Sequence, residues 1–479
     1  MMLGIKRKNI MLAEHDPGWE NSAAQTIKQL RCILGLTAKD IQHVGSTAIK
    51  GIKAKPVIDI AVEVNDFDEV LNFTPEMEKE GFFFRGFEGK ERQPVFQCGE
   101  YIQGEDDMRL LTHYIHIVKA DSTQWHSYIN FRDYMNACPS AASEYEALKL
   151  QLASESGSDG SLHSYHMGKQ DYVAGMIEVA HLWNDLGRKF TRIEPITKGM
   201  SGDKKFFAEA TDGKYLLRVS EMSEYDRKRA EFKLVEKMAA LTIPMPQPVA
   251  FGKCDNGNCV YTLLTWIDGR EVEEVLPTLS EAEQYALGTK SGEILRRIHA
   301  IPAPENSADW AERYFAVIDE RLNAFRAEGV PFDGDNLILD FLESNRFLLN
   351  GRPQLRHHGD YHEGNMIISD GGTLSVIDWH MVDFDNFGDP WYEFNRIVVA
   401  FPAFASGQIN GYFHNVPPTE FWKLLAYYLS ASAITSIVWS KYFAPERLAE
   451  ILRLNEDVLR WFDNMKNFVP TWYQTTFRS

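Results

Sequence analysis

Residues 57–64 form an almost unbroken apolar run, interrupted only by Asp59 and Glu63, and residues 41–44 begin and end on apolar side chains. Both lengths suit short strands of a buried sheet. The first strand closes on Gly45-Ser46-Thr47, and residues 113–118 have the composition of a third. Apolar positions at helical spacing predict helices over 22–34, 125–136, 141–153 and 169–182, with a polar loop at 154–161.

After Asn184-Asp185-Leu186-Gly187 the rhythm changes. Residues 193–198, 204–210 and 214–220 read as successive strands, separated by turn residues at 199–202 and 211–213. A helix over 225–240 and a hairpin around Asp255-Asn256-Gly257 follow. From residue 279 the pattern is mostly helical, broken by a loop-and-strand region at 355–389. No internal repeat is visible. The change near 183–192 predicts a first domain over 1–182, a β-rich part over 183–269 and a helical part over 270–479. A chain of 479 residues has room for that many folding units.

Composition narrows the partners. Hydrophobic residues make up 44% and charged residues 25%, which excludes a mainly disordered chain. Acids outnumber bases 68 to 50, for a net charge of −18. That balance argues against nucleic acid or an anionic membrane as the main partner, and suits a cationic small molecule. No stretch approaches 18 consecutive apolar residues, and residues 1–14 lack the apolar core of a secretory signal. Five scattered cysteines make no disulfide framework, so the expected location is the cytoplasm, with reduced thiols. Cys254 and Cys259 flank a turn and read as strand packing, since two thiols are half a zinc site. Oligomeric state is open.

The chemistry concentrates in His358-Gly359-Asp360-Tyr361-His362-Glu363-Gly364-Asn365, followed by Val376-Ile377-Asp378-Trp379. In a kinase loop of this spacing the aspartate accepts the acceptor hydroxyl's proton and the asparagine holds magnesium. A second magnesium-binding acid ends the next hairpin strand, where Asp378 stands. Phosphoryl transfer needs all three, because clustered negative charge must be neutralised while a base orients the hydroxyl. Any one of these acids alone is better read as a turn residue or strand cap; the ordered set is not.

This pattern resembles the aminoglycoside phosphotransferase family of the wider protein-kinase-like fold, over about residues 190–470. The resemblance implies a β-rich N-lobe, a hinge, a helical C-lobe, and MgATP or MgGTP as donor. It makes Asp360 the catalytic base, Asn365 and Asp378 the Mg²⁺ ligands, and Asp389 a structural acid supporting the loop. Gly199, Ser201 and Gly202 would lay backbone N–H groups over the donor phosphates. Arg218 stands where the family usually presents a lysine, with Glu231, or alternatively Glu236, as its carboxylate partner. Arginine keeps the charge but not the ammonium's geometry. Backbone groups near Leu264 and Trp266 would take the nucleotide base.

The acceptor implied is a small-molecule hydroxyl, with an aminoglycoside as one candidate beside macrolides, choline-like alcohols and sugars. Between residues 303 and 345 stand ten acids and three bases, and Asp383 and Asp385 follow the metal strand. Such an acidic rim would draw in a polycation, although most of these acids read as solvated helix faces. A nucleotide-binding regulatory protein, inactive as a kinase because of Arg218, is the alternative.

The first half carries a second resemblance. His43-Val44-Gly45-Ser46-Thr47-Ala48, Lys55-Pro56-Val57-Ile58-Asp59-Ile60, Asp16-Pro17-Gly18-Trp19, Phe131-Arg132-Asp133-Tyr134 and Tyr165-His166-Met167-Gly168-Lys169 resemble the GrpB family, with a nucleotidyltransferase-like fold, over residues 8–182. The fold class implied for the chain is α+β, a nucleotidyltransferase-like domain followed by a bilobal kinase-like one. Nucleotidyl transfer usually uses two carboxylates at i and i+2, yet Ala61 follows Asp59 and Glu63 lies about 13 Å along the strand. Ser46 and Asp59 are therefore expected to bind a nucleotide or phosphate, with transfer by this half as a further alternative. His113 and His116 fall on opposite faces of their strand and make a poor metal pair.

Overall fold

The computed structural model describes all residues except 1–2, 7–10, 90–91, 102–107, 157–161, 199–201, 329, 380–385, 398 and 476–479. The described chain divides into two compact units, Met1–Glu224 with Gly252–Leu263, and Tyr225–Phe251 with Leu264–Ser479.

The first unit opens with β1 (Ile5–Lys6), α1 (Gly18–Leu34), β2 (Ala38–Val44), β3 (Ile58–Val64), α2 (Phe67–Leu71) and α3 (Thr74–Lys79). It continues through β4 (Phe83–Glu88), β5 (Gln93–Tyr101), β6 (Met108–Lys119), α4 (Thr123–Ala137), α5 (Pro139–Ser156) and α6 (Leu162–Asp185). The sheet order is β2-β3-β6-β5-β4, with β1 on β6. β3 and β6 are parallel and the other neighbours antiparallel. Trp19, Leu30 and Leu34 of α1 pack on one face against Ile58, Ile60, Val62, Ile115 and Ile117. On the other face Val44, Ala61 and Val118 meet Trp125 of α4. Helices on both faces explain why β3 reads as a continuous apolar run. Asp59 and Glu63 are its two exceptions.

β4 and β5 have no clean alternation in the sequence because both are bulged, near Gly86 and near Gly99. The register shifts there break the period of two.

The stretch where the sequence rhythm changes is a turn inside the first unit. α6 ends at Asp185, and β7 (Phe190–Ile196), β8 (Lys204–Ala210) and β9 (Gly213–Glu221) follow. β7 is tied back to the preceding helices: Trp183 Nε1 donates to Phe190 O at 2.9 Å and Tyr134 OH to Ile193 O at 3.1 Å. Tyr134→Phe removes one of these bonds and is expected to cost about 1 kcal/mol in denaturant unfolding, with no change in denaturant dependence. After α7 (Tyr225–Ala239), β10 (Pro248–Cys254) and β11 (Cys259–Thr265) complete a second sheet of order β10-β11-β9-β8-β7.

In the second unit, β12 (Arg270–Glu271), α8 (Val272–Val275), α9 (Glu281–Ile298), α10 (Trp310–Glu328) and α11 (Asp335–Ser344) precede the loop region. That region is built on β13 (Leu355–Arg356), β14 (Met366–Ile368), β15 (Leu374–Val376) and β16 (Phe387–Gly388). β12 and β15 flank β14, and β13 pairs with β16. α12 (Pro402–Phe413), α13 (Thr419–Phe443) and α14 (Leu448–Trp461) close the unit. α9 and α12 cross backbone to backbone, with Gly288 and Gly292 facing carbonyls of Phe404 and Gln408; a Cβ at either glycine would lie 2.0 Å from a carbonyl oxygen. α13 has the length and apolarity to cross a membrane, but 78% of its most apolar window is buried inside the unit. Leu424, Leu425 and Ile434 fill core positions, so the structure reads α13 as a core helix.

Candidate functional site

The segment between β13 and β14 carries Asp360 and Asn365, and the turn after β15 carries Asp378. Asn365 Nδ2 donates to Asp360 O at 2.9 Å and to Asp360 Oδ2 at 3.1 Å. His362 Nε2 lies 3.4 Å from Asp360 Oδ2 and Arg396 Nη1 3.6 Å from Asp360 Oδ1. The Gly364 N–H donates to His362 Nδ1 at 3.1 Å, and Nε2 faces Asp360 and also lies 3.3 Å from Asn365 Nδ2. Burial favours the neutral acid at Asp360. The hydrogen bond from His362 and the charges of Arg396, His362 and His358 outweigh it, and hold the carboxyl well below the usual carboxylate range. His362 is correspondingly raised, chiefly by its bond to Asp360.

Asp378 is joined to this loop through backbone: Ile377 N donates to Asn365 O at 2.9 Å. Its φ of +63° is uncommon outside glycine, and Trp379 Nε1, bonded to Val376 O at 2.9 Å, braces the other side. Asn365 and Asp378 are thus set beside each other by the β14–β15 pairing and the main-chain bond that extends it.

Behind the loop sits a residue that sequence reasoning missed. Glu393 is 3% exposed and accepts from His358 N at 3.0 Å and Gly359 N at 2.5 Å. Its Oε2 also lies 2.9 Å from His299 Nε2, and His299 Nδ1 is 2.9 Å from Tyr412 OH. Burial opposes its charge, but the His299 bond and the nearby His357, His299 and His358 bring the Glu393 carboxyl down to about 2. Asp389 is fully buried and takes Arg352 through two bonds of 2.8 and 3.0 Å and Tyr428 OH at 2.8 Å. Its carbonyl lies 2.9 Å from His357 Nε2. Asp389 therefore anchors the residue before the loop, and Glu393 the loop itself.

In the first unit, Arg218 Nε and Nη2 reach Asp203 Oδ2 at 3.0 and 2.7 Å, and Ser220 Oγ reaches Asp203 Oδ1 at 2.7 Å. The side chains of Arg218 and Asp203 are 11% and 5% exposed. Gly202 immediately precedes Asp203; Gly199 and Ser201 lie outside the described residues, as do Asp383 and Asp385. In the second unit, Glu231 is paired with Lys228 at 3.2 Å and Arg227 at 3.1 Å. Leu264 is buried and Trp266 half-buried at the exit of β11, where Thr265 N donates to Gln247 O at 2.9 Å.

Several acids of the expected rim are already committed within the second unit. Asp319 makes two bonds to Arg346, at 2.7 and 2.9 Å. Glu328 holds Lys441 and Tyr442, and Asp309 accepts from Ala311 N at 2.8 Å.

The structure brings Ser46 and Asp59 to one cavity of about 330 Å³, together with His116, Tyr128, Phe131 and Lys169. His116 Nε2 lies 3.5 Å from Asp59 Oδ1, while His113 turns to the α1 face and lies 3.3 Å from Ser22 Oγ. Gly45 has φ +71°, and a Cβ there would lie 2.4 Å from Asp59 Oδ2. Only glycine lets the Ser46 turn approach Asp59 so closely. Glu63 is used elsewhere, as acceptor for Asp121 N at 3.0 Å. Among the described residues no group of three or more His, Cys, Asp or Glu side chains is placed to hold a metal ion, and Cys254 and Cys259 are free thiols at the ends of a hairpin.

An α+β chain whose second part presents this aspartate–asparagine–aspartate loop on short hairpins is of the kinase-like class. Residues 192–422 match the phosphotransferase enzyme family, and residues 9–178 match the family described as GrpB protein. Glutamate-rich protein GrpB of Alkalihalophilus pseudofirmus is 37% identical over 176 residues, which is 36% of this chain and 96% of that protein. Among solved structures, conserved protein GrpB from Enterococcus faecalis is 27% identical, covering 36% of this chain and 96% of its own, with a TM-score of 0.32. A thermostable mutant of aminoglycoside phosphotransferase APH(4)-Ia, in a ternary complex with ADP and hygromycin B, is 19% identical, covering 58% of this chain and 96% of its own, with a TM-score of 0.42. The chain belongs to the GrpB family through its first part, and a phosphotransferase domain follows it.

Proposed function

We propose that the phosphotransferase domain moves the γ-phosphoryl group of ATP or GTP to a hydroxyl of a small molecule, with Asp360 as the base. The observation that carries this reading is the Asp360 carboxylate, held ionised between Asn365, His362 and Arg396. Asp360 orients the acceptor hydroxyl and takes its proton as the new P–O bond forms, while the bond to the β-phosphate oxygen breaks and the nucleoside diphosphate leaves. A low pKa suits this role, because the transition state is loose and positioning matters more than base strength.

The donor set fits a magnesium ion, which binds one or two protein oxygens together with substrate phosphates. Asp378 offers a carboxylate, and Asn365, whose Nδ2 is committed to Asp360, offers Oδ1. Bound there, Mg²⁺ would neutralise charge on the transferred group. Gly199, Ser201, Gly202 and Arg218 are assigned to the donor phosphates, and backbone groups at Leu264 and Trp266 to the base; Glu231, expected as the carboxylate partner of Arg218, is paired with Lys228 and Arg227, while Arg218 is paired with Asp203. Five free cysteines and a nucleoside triphosphate donor suit the cytoplasm.

The test is γ-phosphoryl transfer from labelled ATP and GTP, with Mg²⁺, to a panel of aminoglycosides and other hydroxylated metabolites. Label is expected in an acceptor, and Asp378→Asn is expected to raise the Mg²⁺ concentration needed for half-maximal rate by about tenfold or more. Nucleotide binding without transfer to any acceptor would overturn the proposal in favour of a regulatory role. The buried Arg218–Asp203 pair would then be its structural reason.

A further inference from the structure

The cavity of the GrpB part has two unlike walls. On the sheet side stand Asp59 and His116, 3.5 Å apart. On the helix side stands Lys169 of α6, above an apolar floor that includes Phe131, Val173 and Ile177.

Two further lysines stand near the cavity without lining it. Lys149 Nζ lies 4.5 Å from the ring centre of Tyr145, which itself lines the cavity. Lys55 Nζ lies 4.2 Å from the ring of Tyr165, and Lys169 Nζ 5.6 Å from the same ring. Lys149 is 1% exposed and donates to a neutral partner, the Lys53 carbonyl, at 2.5 Å. Three lysines thus cluster about two tyrosine rings. Burial and the charge of Lys169 lower Lys149 to about 7 and Lys55 to about 8, although Glu146 opposes this at Lys149 and Asp59 at Lys55. A fold that concentrates positive charge beside a cavity is arranged for an anion.

We propose that this cavity binds a phosphomonoester with an apolar or aromatic body, its phosphate against Lys169 with Lys55 and Lys149 nearby, and a hydrogen-bond donor of the body toward Asp59. A phosphomonoester carries close to two negative charges and three acceptor oxygens near neutral pH, and so answers several lysines better than a carboxylate does. The volume, about 330 Å³, exceeds what inorganic phosphate fills and lies within the range of small-molecule sites. Asp59 repels the phosphate from the sheet wall, which fixes the orientation. The site is separate from the loop of Asp360, so its test does not depend on the phosphotransferase reading.

The probe is phenyl phosphate, titrated calorimetrically into the full-length protein, beside uncharged benzyl alcohol. Phenyl phosphate is expected to bind and benzyl alcohol to bind at least about tenfold more weakly. Lys169→Ala is expected to weaken phenyl phosphate about tenfold or more, Lys169→Arg to restore most of the loss, and Ile177→Trp to abolish binding by filling the floor. Arg218→Ala should leave this binding unchanged, which separates it from phosphate recognition by the kinase-like part. Thermal melts of each variant establish that it is folded. Equal affinity for the alcohol, binding indifferent to both Lys169→Ala and Ile177→Trp, or no binding at millimolar phenyl phosphate would each overturn the proposal.

Discussion

Asp360→Asn is expected to lower kcat for phosphoryl transfer by about 10²–10⁴-fold, the usual contribution of a positioned acid–base group. Nucleotide affinity should stay within a few fold. Asparagine keeps the side chain's size and can still accept the 3.1 Å bond from Asn365 Nδ2, so the loop's geometry survives while its base is lost. Asp360→Ala loses both, and its melting temperature is expected to fall further than that of the asparagine variant. Steady-state kinetics with both variants, beside equilibrium binding of a nonhydrolysable nucleotide, separates chemistry from structure. A variant that loses nucleotide binding and turnover together would show that Asp360 holds the loop rather than performs the transfer.

The contrast between Asp360 and its supports shows what a sequence exposes. Asp360, Asn365 and Asp378 were legible because their relation is local: a fixed short spacing, and then the β14–β15 pairing extended by the main-chain bond from Ile377 to Asn365. Glu393 was not, because it meets the loop 34 and 35 residues away in the chain, and its place in Trp391-Tyr392-Glu393-Phe394 gives no periodic sign of burial. His362 lay in the same segment but had no signal of its own, since its role rests on its contacts with Asp360, Gly364 and Asn365. Asp203 is similarly hidden: it reaches Arg218 only because β8 and β9 pair antiparallel with Lys205 opposite Arg218. Arg218 was visible as the departure from a lysine, but its partner in the first unit was not.

The GrpB part follows the same logic. Its central strands and helices could be read from periodicity, and the bulged β4 and β5 could not. The separation of His113 from His116 follows from strand alternation alone. The pairing of His116 with Asp59 needed the parallel register of β3 and β6, which sets Asp59 opposite Tyr114 and Ala61 opposite His116. The lysine group needed tertiary structure throughout, since Lys55, Lys149 and Lys169 lie in three separate segments.

The largest stability effect is expected at Glu393. Both of its oxygens accept: Oε1 from Gly359 N, and Oε2 from His358 N and across to His299. In Glu393→Gln one oxygen becomes an NH₂ group that must face a backbone N–H, so a donor meets a donor in a buried site. Leaving a buried backbone donor unsatisfied and removing the charge that accepts it costs about 3 kcal/mol or more. At the lower end that is a fall in melting temperature of about 6–12 °C for a unit of this size. The pH dependence gives a second check. The folded Glu393 carboxyl lies near 2 against an ordinary 4.5, so its contribution is fully present above the ordinary value and is lost as pH falls through about 2. Glu393→Gln should therefore flatten the acid side of the stability curve as well as lower its maximum. Because Glu393 touches the two residues before Asp360 and not Asp360 itself, its loss should reduce kcat through a displaced loop. Near-neutral melts and acid titrations that coincide with wild type would show that the loop is held by Asp389 and His357 instead.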